Sequence, residues 1–301
     1  HETGIGRKMR ISLTLGSGGA RGYAHIGVLQ ELVARGHEVV AVAGASIGAL
    51  VGGAFAAGKL DQLTETALKL SKTNMWLMFR PTLGAPGLVK LDRVMGTLAR
   101  LIGEVRIEDL PIPYTAVATD MIARREVWFT EGPLLAAIRA SIAVPSVFSP
   151  VMLQGRLLAD GGVLNPLPIE PSLRLDADLA LAVSLFGNDP GLRPASAIEA
   201  SADQVSGPNA LARLGERIAD VLPTRRHQAT AGDPFDPLPS DLALLDMVTL
   251  ALDVMQARIQ ASRIAVNPPD VHIEVPASLG TMFSFDQASR IIETGRELAI
   301  A

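Results

Sequence analysis

The stretch that decides the fold runs from Val39 to Ala57 and reads V-V-A-V-A-G-A-S-I-G-A-L-V-G-G-A-F-A-A. Its opening residues, Val39–Ala43, are apolar and rich in valine, which predicts a strand buried on both faces. Residues Ile47–Ala57 are rich in alanine, with apolar residues at helical spacing. The turn between them, G-A-S-I-G at 44–48, has the pattern G-x-S-x-G. Glycines on both sides let the chain reverse sharply and expose a hydroxyl, so Ser46 is the candidate nucleophile.

Two other interpretations of this stretch compete with a catalytic serine. Glycine makes up 28 of the 301 residues, so a chance G-x-S-x-G match arises in roughly one such chain in ten. Residues 39–58 carry no charge, as in a membrane span, but a β-branched run followed by Gly, Ser and Gly favours a strand, a turn and a helix. The pattern alone supports the nucleophile and the chance match equally.

The composition indicates a globular chain with enough apolar residues for a large core. Hydrophobic residues make up 48% and charged residues 19%, and the length allows one large domain or two small ones. The formal net charge of −4 gives no reason to expect a nucleic acid as partner. The sequence contains no cysteine, which excludes disulfides and thiol catalysis and is compatible with a reducing cytosol.

The first ten residues, His1–Arg10, contain no apolar segment of the kind found in a signal peptide. They do not begin with methionine, so residues 1–9 are interpreted as a tag remnant, with Met9 as the natural start. We therefore expect a cytoplasmic protein that contacts membranes only at their surface.

The order of predicted elements indicates a parallel sheet. Arg10–Leu15 alternates as a strand, a glycine-rich loop follows at 16–22, and Tyr23–Arg35 carries a helical apolar stripe. Strand, helix, strand and helix in succession predict right-handed crossovers between parallel strands. Further helices are predicted at 61–71, 91–102, 133–141, 241–264 and, capped by Asp286, up to residue 298; further strands are predicted at 114–119, 126–130, 157–159, 179–186 and 271–275.

Two segments stand apart from this alternation. Residues 187–240 carry seven prolines and one convincing helical pattern, at 210–221, which predicts a long mobile insertion rather than a second domain. The cluster Met75–Phe79 is the most lipophilic in the chain. Packing against the domain is its ordinary interpretation, and contact with an acyl chain or a membrane surface is the functional one.

The glycine loop has three conceivable uses. As a dinucleotide fingerprint it fails, because Arg21 occupies the position of the third glycine, and as a phosphate loop it lacks the Gly-Lys-Ser/Thr ending. As an oxyanion hole, Gly18, Gly19 and Ala20 can turn successive N–H groups toward one point at the start of a helix. Arg21 then either orients the loop, which is the favoured interpretation, or attracts an anionic substrate.

A nucleophilic serine needs a base, and the chain offers two serious candidates. His272 would complete the chain order Ser, Asp, His of an α/β-hydrolase triad, but it lies inside an alternating strand instead of a loop. Asp160 follows the apolar run 157–159 and precedes two glycines, an arrangement that is also common in a plain hairpin turn. A desolvated aspartate has a raised pKa and can accept a serine proton without histidine.

Taken together, these residues resemble the patatin-like phospholipases, and more closely the small bacterial members of that family. The resemblance covers at least residues 10–186 and rests on three motifs in the family's order, with one departure, Ser17 where the family often has glycine. The motifs are Gly18-Gly19-Ala20-Arg21-Gly22, Gly44-Ala45-Ser46-Ile47-Gly48 and Asp160-Gly161-Gly162, joined by Ala118-Thr119-Asp120, Ala140–Pro145 and Asn165-Pro166.

The resemblance implies a fold, a site and an activity. The fold is a single three-layer α/β/α domain over residues 10–301, with a mainly parallel central sheet. Ser46 is the nucleophile and Asp160 the base of a dyad, and Gly18 and Gly19 supply oxyanion N–H groups. The supporting residues are Arg21, Gly44, Gly48, Gly161 and Gly162.

The predicted activity is hydrolysis of lipid acyl esters through an acyl-enzyme, of the phospholipase A, lysophospholipase or esterase type. It requires no metal or other cofactor, and its partner is a lipid or acyl-ester substrate. Two alternatives stay open: a Ser–His–Asp esterase that uses His272, and a non-catalytic adaptor that binds a protein or a lipid.

Overall fold

A computed structural model describes residues 8–70, 91–145, 147–173, 176–187 and 244–301, with the backbone alone at 244–246. The chain divides into two compact units, residues 1–189 with 251–301 and residues 190–250. Of the second unit the structure describes only residues 244–250, the first turns of a long helix. Apart from residue 187, the predicted insertion at 187–240 lies outside the described residues, as do its helix at 210–221 and the cluster Met75–Phe79. The domain assignment stays a prediction.

One sheet of eight strands forms the centre of the first unit. Its main path runs β5-β6-β3-β2-β1-β7-β8, and β4 pairs with β3. The pairs that join β3, β2, β1, β7 and β8 are parallel, whereas those among β3, β4, β5 and β6 are antiparallel. The strands are β1 (Arg10–Leu15), β2 (Glu38–Ala45), β3 (Tyr114–Asp120), β4 (Arg125–Phe129), β5 (Val151–Leu153), β6 (Arg156–Asp160), β7 (Leu179–Gly187) and β8 (Val271–Pro276).

Helices cover both faces of the sheet, as side-chain alternation along β1 illustrates. Leu13 and Leu15 belong to the large apolar core that includes residues of the first two helices and the last one. On the opposite face, Ser12 and Thr14 hydrogen-bond with Ser172. The helices are α1 (Ala24–Ala34), α2 (Ile47–Ala56), α3 (Leu60–Leu68), α4 (Asp92–Ile102), α5 (Leu134–Ser141), α6 (Ile169–Ser172), α7 (Leu244–Val266) and α8 (Ala288–Ile300).

The last two long helices lie in different layers. Ile264 of α7 packs with Leu167, Ile169 and Ala182 in a small cluster on the Ser12 face. Residues of α8, among them Ile292, belong to the large core on the other face. The predicted three-layer α/β/α architecture with a mainly parallel sheet is therefore confirmed.

The pairing of β3 brings the ends of two other strands, β2 and β6, together. Strand β4 occupies one side of β3 along Ala116–Asp120. On the other side, β2 pairs only with Tyr114–Val117, and β6 takes over at Ala118–Asp120 in the opposite direction. The last residues of β2 and of β6 therefore face each other on the same side of β3. The residues at this meeting point are Ser46, next after Ala45 of β2, and Asp160, the last residue of β6.

Candidate active site

Ser46 lies on a strained turn between β2 and α2. Its φ of 56° and ψ of −124° are values that residues other than glycine seldom adopt. The turn is tight because Gly44 and Gly48 touch: a Cβ on Gly44 would lie 2.5 Å from the Gly48 carbonyl carbon, and one on Gly48 would lie 2.1 Å from the Leu15 carbonyl oxygen. Small residues at 44 and 48 are therefore a steric requirement of the turn, as the motif predicts.

A second serine holds this turn against the sheet. The backbone N–H of Ser46 donates to Ser141 Oγ at 2.9 Å, and Ser141 Oγ donates to the Val117 carbonyl oxygen at 2.6 Å. Ser141 is fully buried at the end of α5. This bond fixes the backbone of Ser46 and leaves its own hydroxyl free to act.

Asp160 meets the Ser46 hydroxyl from the end of β6. Its Oδ1 accepts from the Gly162 N–H at 2.6 Å, and Oδ2 is buried without a hydrogen bond of standard geometry. Burial raises the pKa of Asp160 to about 7, partly offset by hydrogen bonding from Ser46 and from the Gly162 N–H. Contacts between catalytic groups often tighten only when substrate binds. A carboxyl group whose pKa is about 7, with one oxygen that has no hydrogen bond beside a serine, is suited to proton transfer.

The two glycines after Asp160 have separate structural reasons. A Cβ on Gly161 would lie 2.1 Å from the Val117 carbonyl oxygen, so only glycine lets β6 end against β3. A Cβ on Gly162 would lie 2.7 Å from Ser17 Oγ and 2.9 Å from Asp160 Oδ1, so a side chain there would crowd the carboxyl group whose Oδ1 the Gly162 N–H fixes.

The glycine loop offers two free N–H groups rather than three. Gly18 and Gly19 have φ values of 152° and 62°, and within the described part of the chain neither N–H has an acceptor. The prediction that Ala20 is an oxyanion donor is wrong, because its N–H donates to the Met282 carbonyl oxygen at 2.9 Å. The N–H of Ser17 also has an acceptor, because it donates to the Pro166 carbonyl oxygen at 2.8 Å.

Arg21 holds this loop from within. Its side chain is almost fully buried, its Nε donates to the Gly18 carbonyl oxygen at 3.1 Å, and its Nη2 pairs with Asp253 at 3.0 Å. The guanidinium also lies over the Phe186 ring, 4.9 Å from its centroid. These contacts match the orienting role more closely than anion attraction, since the cation already has a carboxylate partner.

Helix α7 contributes two residues that sequence reasoning missed. Asp253 pairs with Arg21, and Gln256 Oε1 accepts from Ser17 Oγ at 2.6 Å. The two are three positions apart and so lie on one helix face. The available signal in the sequence was an aspartate and a glutamine three positions apart in a helical stretch with many apolar residues.

Comparison with known proteins decides the family. Residues 13–173, just over half of the chain, match the family model described as patatin-like phospholipase. A protein of Mycobacterium tuberculosis named as an uncharacterized NTE family member is 39% identical, over 96% of this chain and 90% of that protein. The chain belongs to the patatin-like phospholipase family.

Two animal relatives match over a shorter range. Patatin-like phospholipase domain-containing protein 7 of mouse is 31% identical over 60% of this chain, and neuropathy target esterase sws of Drosophila is 34% identical over 60%. The match covers 14% and 13% of those proteins. The predicted family is confirmed, and family membership supports a lipid ester hydrolase with a lipid acyl ester as substrate.

An apolar pocket opens beside Ser46 of this patatin-like chain. Its cavity volume is about 130 Å³. Ser46 and Gly19 contribute to one part of its wall, and the remaining wall is almost entirely aliphatic or aromatic. The lining from α3 and α4 includes Leu63, Ala67, Val94 and Leu98, and further lining residues are Ile142, Val144, Phe148, Met282 and Phe285.

In this patatin-like chain, His272 lies on β8, three strands away from β2 and therefore from Ser46. It pairs in register with Ala182, which pairs with Thr14, which pairs with Ala43 of β2. Three strand spacings separate it from β2, about 14 Å. Its Nε2 hydrogen-bonds with Ser184 Oγ at 2.9 Å, and burial lowers its pKa. Ser184 is fully buried within β7 and closed to substrate.

His25 is equally removed from a catalytic role. It is fully buried in the first turn of α1, where its Nε2 hydrogen-bonds with the Gly16 carbonyl oxygen at 2.9 Å. Burial lowers its pKa to about 4, so the ring is neutral near pH 7 and serves as a packed support for the glycine loop.

The described residues contain neither a metal-binding cluster nor a membrane-spanning helix. Within 8–70, 91–145, 147–173, 176–187 and 244–301, no three His, Asp or Glu side chains form a group that could hold a metal ion. None of the helices in those ranges combines the length and the apolar composition needed to cross a bilayer.

Proposed function

We propose that this patatin-like chain hydrolyses acyl esters of lipids with a Ser46–Asp160 dyad and without histidine. The observation that carries the proposal is the meeting of β2 and β6 beside β3. It puts a serine on a strained turn next to a buried carboxyl group whose pKa is about 7. A base with a pKa near the working pH combines the correct protonation state with a useful driving force.

In the first half of the proposed reaction, Ser46 Oγ attacks the ester carbonyl carbon while its proton passes to Asp160 Oδ2. The tetrahedral oxyanion accepts hydrogen bonds from the Gly18 and Gly19 N–H groups, each typically worth about 3 kcal/mol of barrier. The intermediate collapses to an acyl-enzyme. The leaving alcohol takes the proton from Asp160.

In the second half, Asp160 accepts a proton from water as the water oxygen attacks the acyl carbonyl carbon. Collapse of the second intermediate breaks the bond to Ser46 Oγ, which recovers the proton from Asp160. The products are a carboxylic acid and the free enzyme, so atoms and charge balance over the cycle.

The pocket beside Ser46 supports an aliphatic acyl chain as the part of the substrate that is bound. Its wall presents almost no polar atoms to a ligand, and burial of each methylene contributes about 0.8 kcal/mol. We therefore propose a lipid ester of the phospholipase A, lysophospholipase or esterase type, handled by a cytoplasmic protein at the surface of lipid assemblies.

Covalent labelling with an activated fluorophosphonate, followed by mass mapping, tests the dyad. We expect one labelled site, Ser46, in the natural chain, and loss of labelling in Ser46→Ala and in Asp160→Asn. Ser184→Ala is the matched control, because Ser184 is a buried serine that does touch a histidine. Undiminished ester hydrolysis by Ser46→Ala would refute the proposal.

The two competing functions give different results in the same experiment. A histidine-dependent esterase loses labelling in His272→Ala, which the dyad tolerates. A non-catalytic adaptor is not labelled at all, even with lipid micelles present.

A further inference from the structure

Exposed apolar side chains collect at the ends of two hairpins. The turn from β3 to β4 carries Met121 and Ile122, which are 40% and 75% exposed, and Met152 of β5 is 66% exposed. The Met121 N–H donates to the Leu157 carbonyl oxygen, and Met152 pairs in register with Leu157. The two methionines therefore flank one residue of β6. We call residues 121–125 and 152–156 together the hairpin tip.

The hairpin tip lies at the same end of the sheet as Ser46 and Asp160. Asp160 pairs with Ala118, and the chain of β3 continues from there toward Met121. Three residues of extended strand advance about 10 Å. The tip thus stands about 10 Å beyond the dyad, in the direction in which β2 points toward Ser46.

The tip is held in shape by hydrogen bonds. Asp120 Oδ1 accepts from the N–H groups of Ile122 and Ala123, at 3.1 and 2.9 Å. These bonds fix the turn in which Ile122 is presented, so little conformational entropy is lost when its side chain becomes buried.

The same tip is basic. Arg124, Arg125 and Arg156 are exposed, and in the described part of the chain none of them forms an ion pair. Of the neighbouring acids, Asp120 is buried and occupied with the turn, and Glu126 is paired with Arg263. The tip therefore carries three cations whose charge is not neutralised locally.

We propose that the hairpin tip is a docking surface for an anionic lipid membrane. Met121, Ile122 and Met152 enter the interface between head groups and acyl chains, and the three arginines contact lipid phosphates. Docking turns the end of the sheet that carries Ser46 and Asp160 toward the bilayer. Its use in lipid hydrolysis rests on the function proposed above, but the docking itself is measured without any reaction.

Co-sedimentation with vesicles tests the proposal, using vesicles of phosphatidylcholine alone and of equal parts phosphatidylcholine and phosphatidylglycerol. We expect stronger binding to the anionic vesicles. Ile122→Ser and Met152→Ser should each weaken binding about tenfold, and Arg124→Asn and Arg125→Gln about fivefold each on anionic vesicles only. Asparagine is chosen at 124 because that residue has a φ of 53°.

Controls separate this surface from general stickiness. Val266→Ser removes a side chain that is 76% exposed where α7 ends, near the opposite edge of the sheet, and should leave binding unchanged. Hydrolysis of a short soluble ester should be the same in the natural chain, in the hairpin-tip variants and in Val266→Ser. Loss of that hydrolysis in Ser46→Ala is read independently, so failure of docking and failure of the catalytic proposal are distinguishable.

Any of three results in the vesicle assay would overturn the proposal: no vesicle binding by the natural chain, equal binding by the tip variants, or equal weakening by Val266→Ser. A dimer that dissociates on Ile122→Ser would overturn it as well, by assigning the tip to a second copy of the chain.

Discussion

Replacing Asp160 with asparagine should stabilise the protein while it abolishes the proposed chemistry. Burial raises the pKa of this carboxyl group from its usual 3.8 to about 7. The folded chain therefore holds the proton more tightly than the unfolded chain does. The associated stability is complete below about pH 4 and is lost as the pH rises through about 7.

The size of the effect follows from the same two values. A rise in the pKa from 3.8 to about 7 corresponds to about 4 kcal/mol between the protonated and ionised forms, as an upper limit. Asparagine keeps the oxygen that accepts from the Gly162 N–H and cannot ionise. We expect Asp160→Asn to be more stable than the natural protein by up to about 4 kcal/mol at about pH 8, and by almost nothing at about pH 4.

Urea unfolding at a series of pH values, followed by far-UV circular dichroism, measures this difference. Asp109→Asn is the control, because it removes the charge of an exposed aspartate and should give a small difference at every pH. An Asp160→Asn variant that is no more stable than the natural protein at alkaline pH would refute the reasoning. So would a difference that does not grow with pH.

Three further predictions concern the site and its supports. Gly48→Ala should destabilise the fold by more than about 3 kcal/mol in thermal unfolding, because a Cβ there collides with the carbonyl oxygen at the end of β1. Gly96 is the control, since it lies in a helix with open space around it. Gly96→Ala should stabilise the fold by up to about 1 kcal/mol. Asp253→Asn should lower kcat on a soluble ester about tenfold or more with KM unchanged, since it loosens Arg21 and with it the glycine loop that we propose as the oxyanion hole. A change in KM alone would contradict this. The rate of fluorophosphonate labelling should fall about tenfold per pH unit below about 7, as Asp160 becomes protonated, and a flat profile would exclude Asp160 as the base.

The local part of the site could be predicted from the sequence because it is encoded in contiguous residues. A β-branched run, two glycines around a serine and an apolar strand ending in Asp160 each determine a short piece of backbone. The positions of Ser46 and Asp160 at strand ends followed from those patterns. What brings them together does not, since it depends on β4 occupying one side of β3 and leaving the other to β2 and β6.

The prediction for Ala20 failed because a distant residue competes for its backbone N–H. Ala20 has a suitable sequence position for an oxyanion donor, but Met282, far along the chain, takes its N–H. The cap predicted at Asp286 is wrong for a local reason. A short 3-10 turn at Phe285–Gln287 precedes α8 and moves the N-cap to Gln287. Strand β5, with only three residues, is too short for alternation to reveal.

The bonds from α7 to the glycine loop have a consequence for synthesis of the protein. The three sequence motifs that contain Gly18, Ser46 and Asp160 all lie before residue 187. Ser17 and Arg21 acquire their partners Gln256 and Asp253 only after translation of about 70 more residues, which takes roughly 4 to 14 s on a ribosome. During that interval the nascent chain contains Ser46 and Asp160, while the glycine loop lacks the side chains of α7 that hold it. We infer that the glycine loop acquires its final support late, only after residues 253 and 256 of α7 have been synthesised.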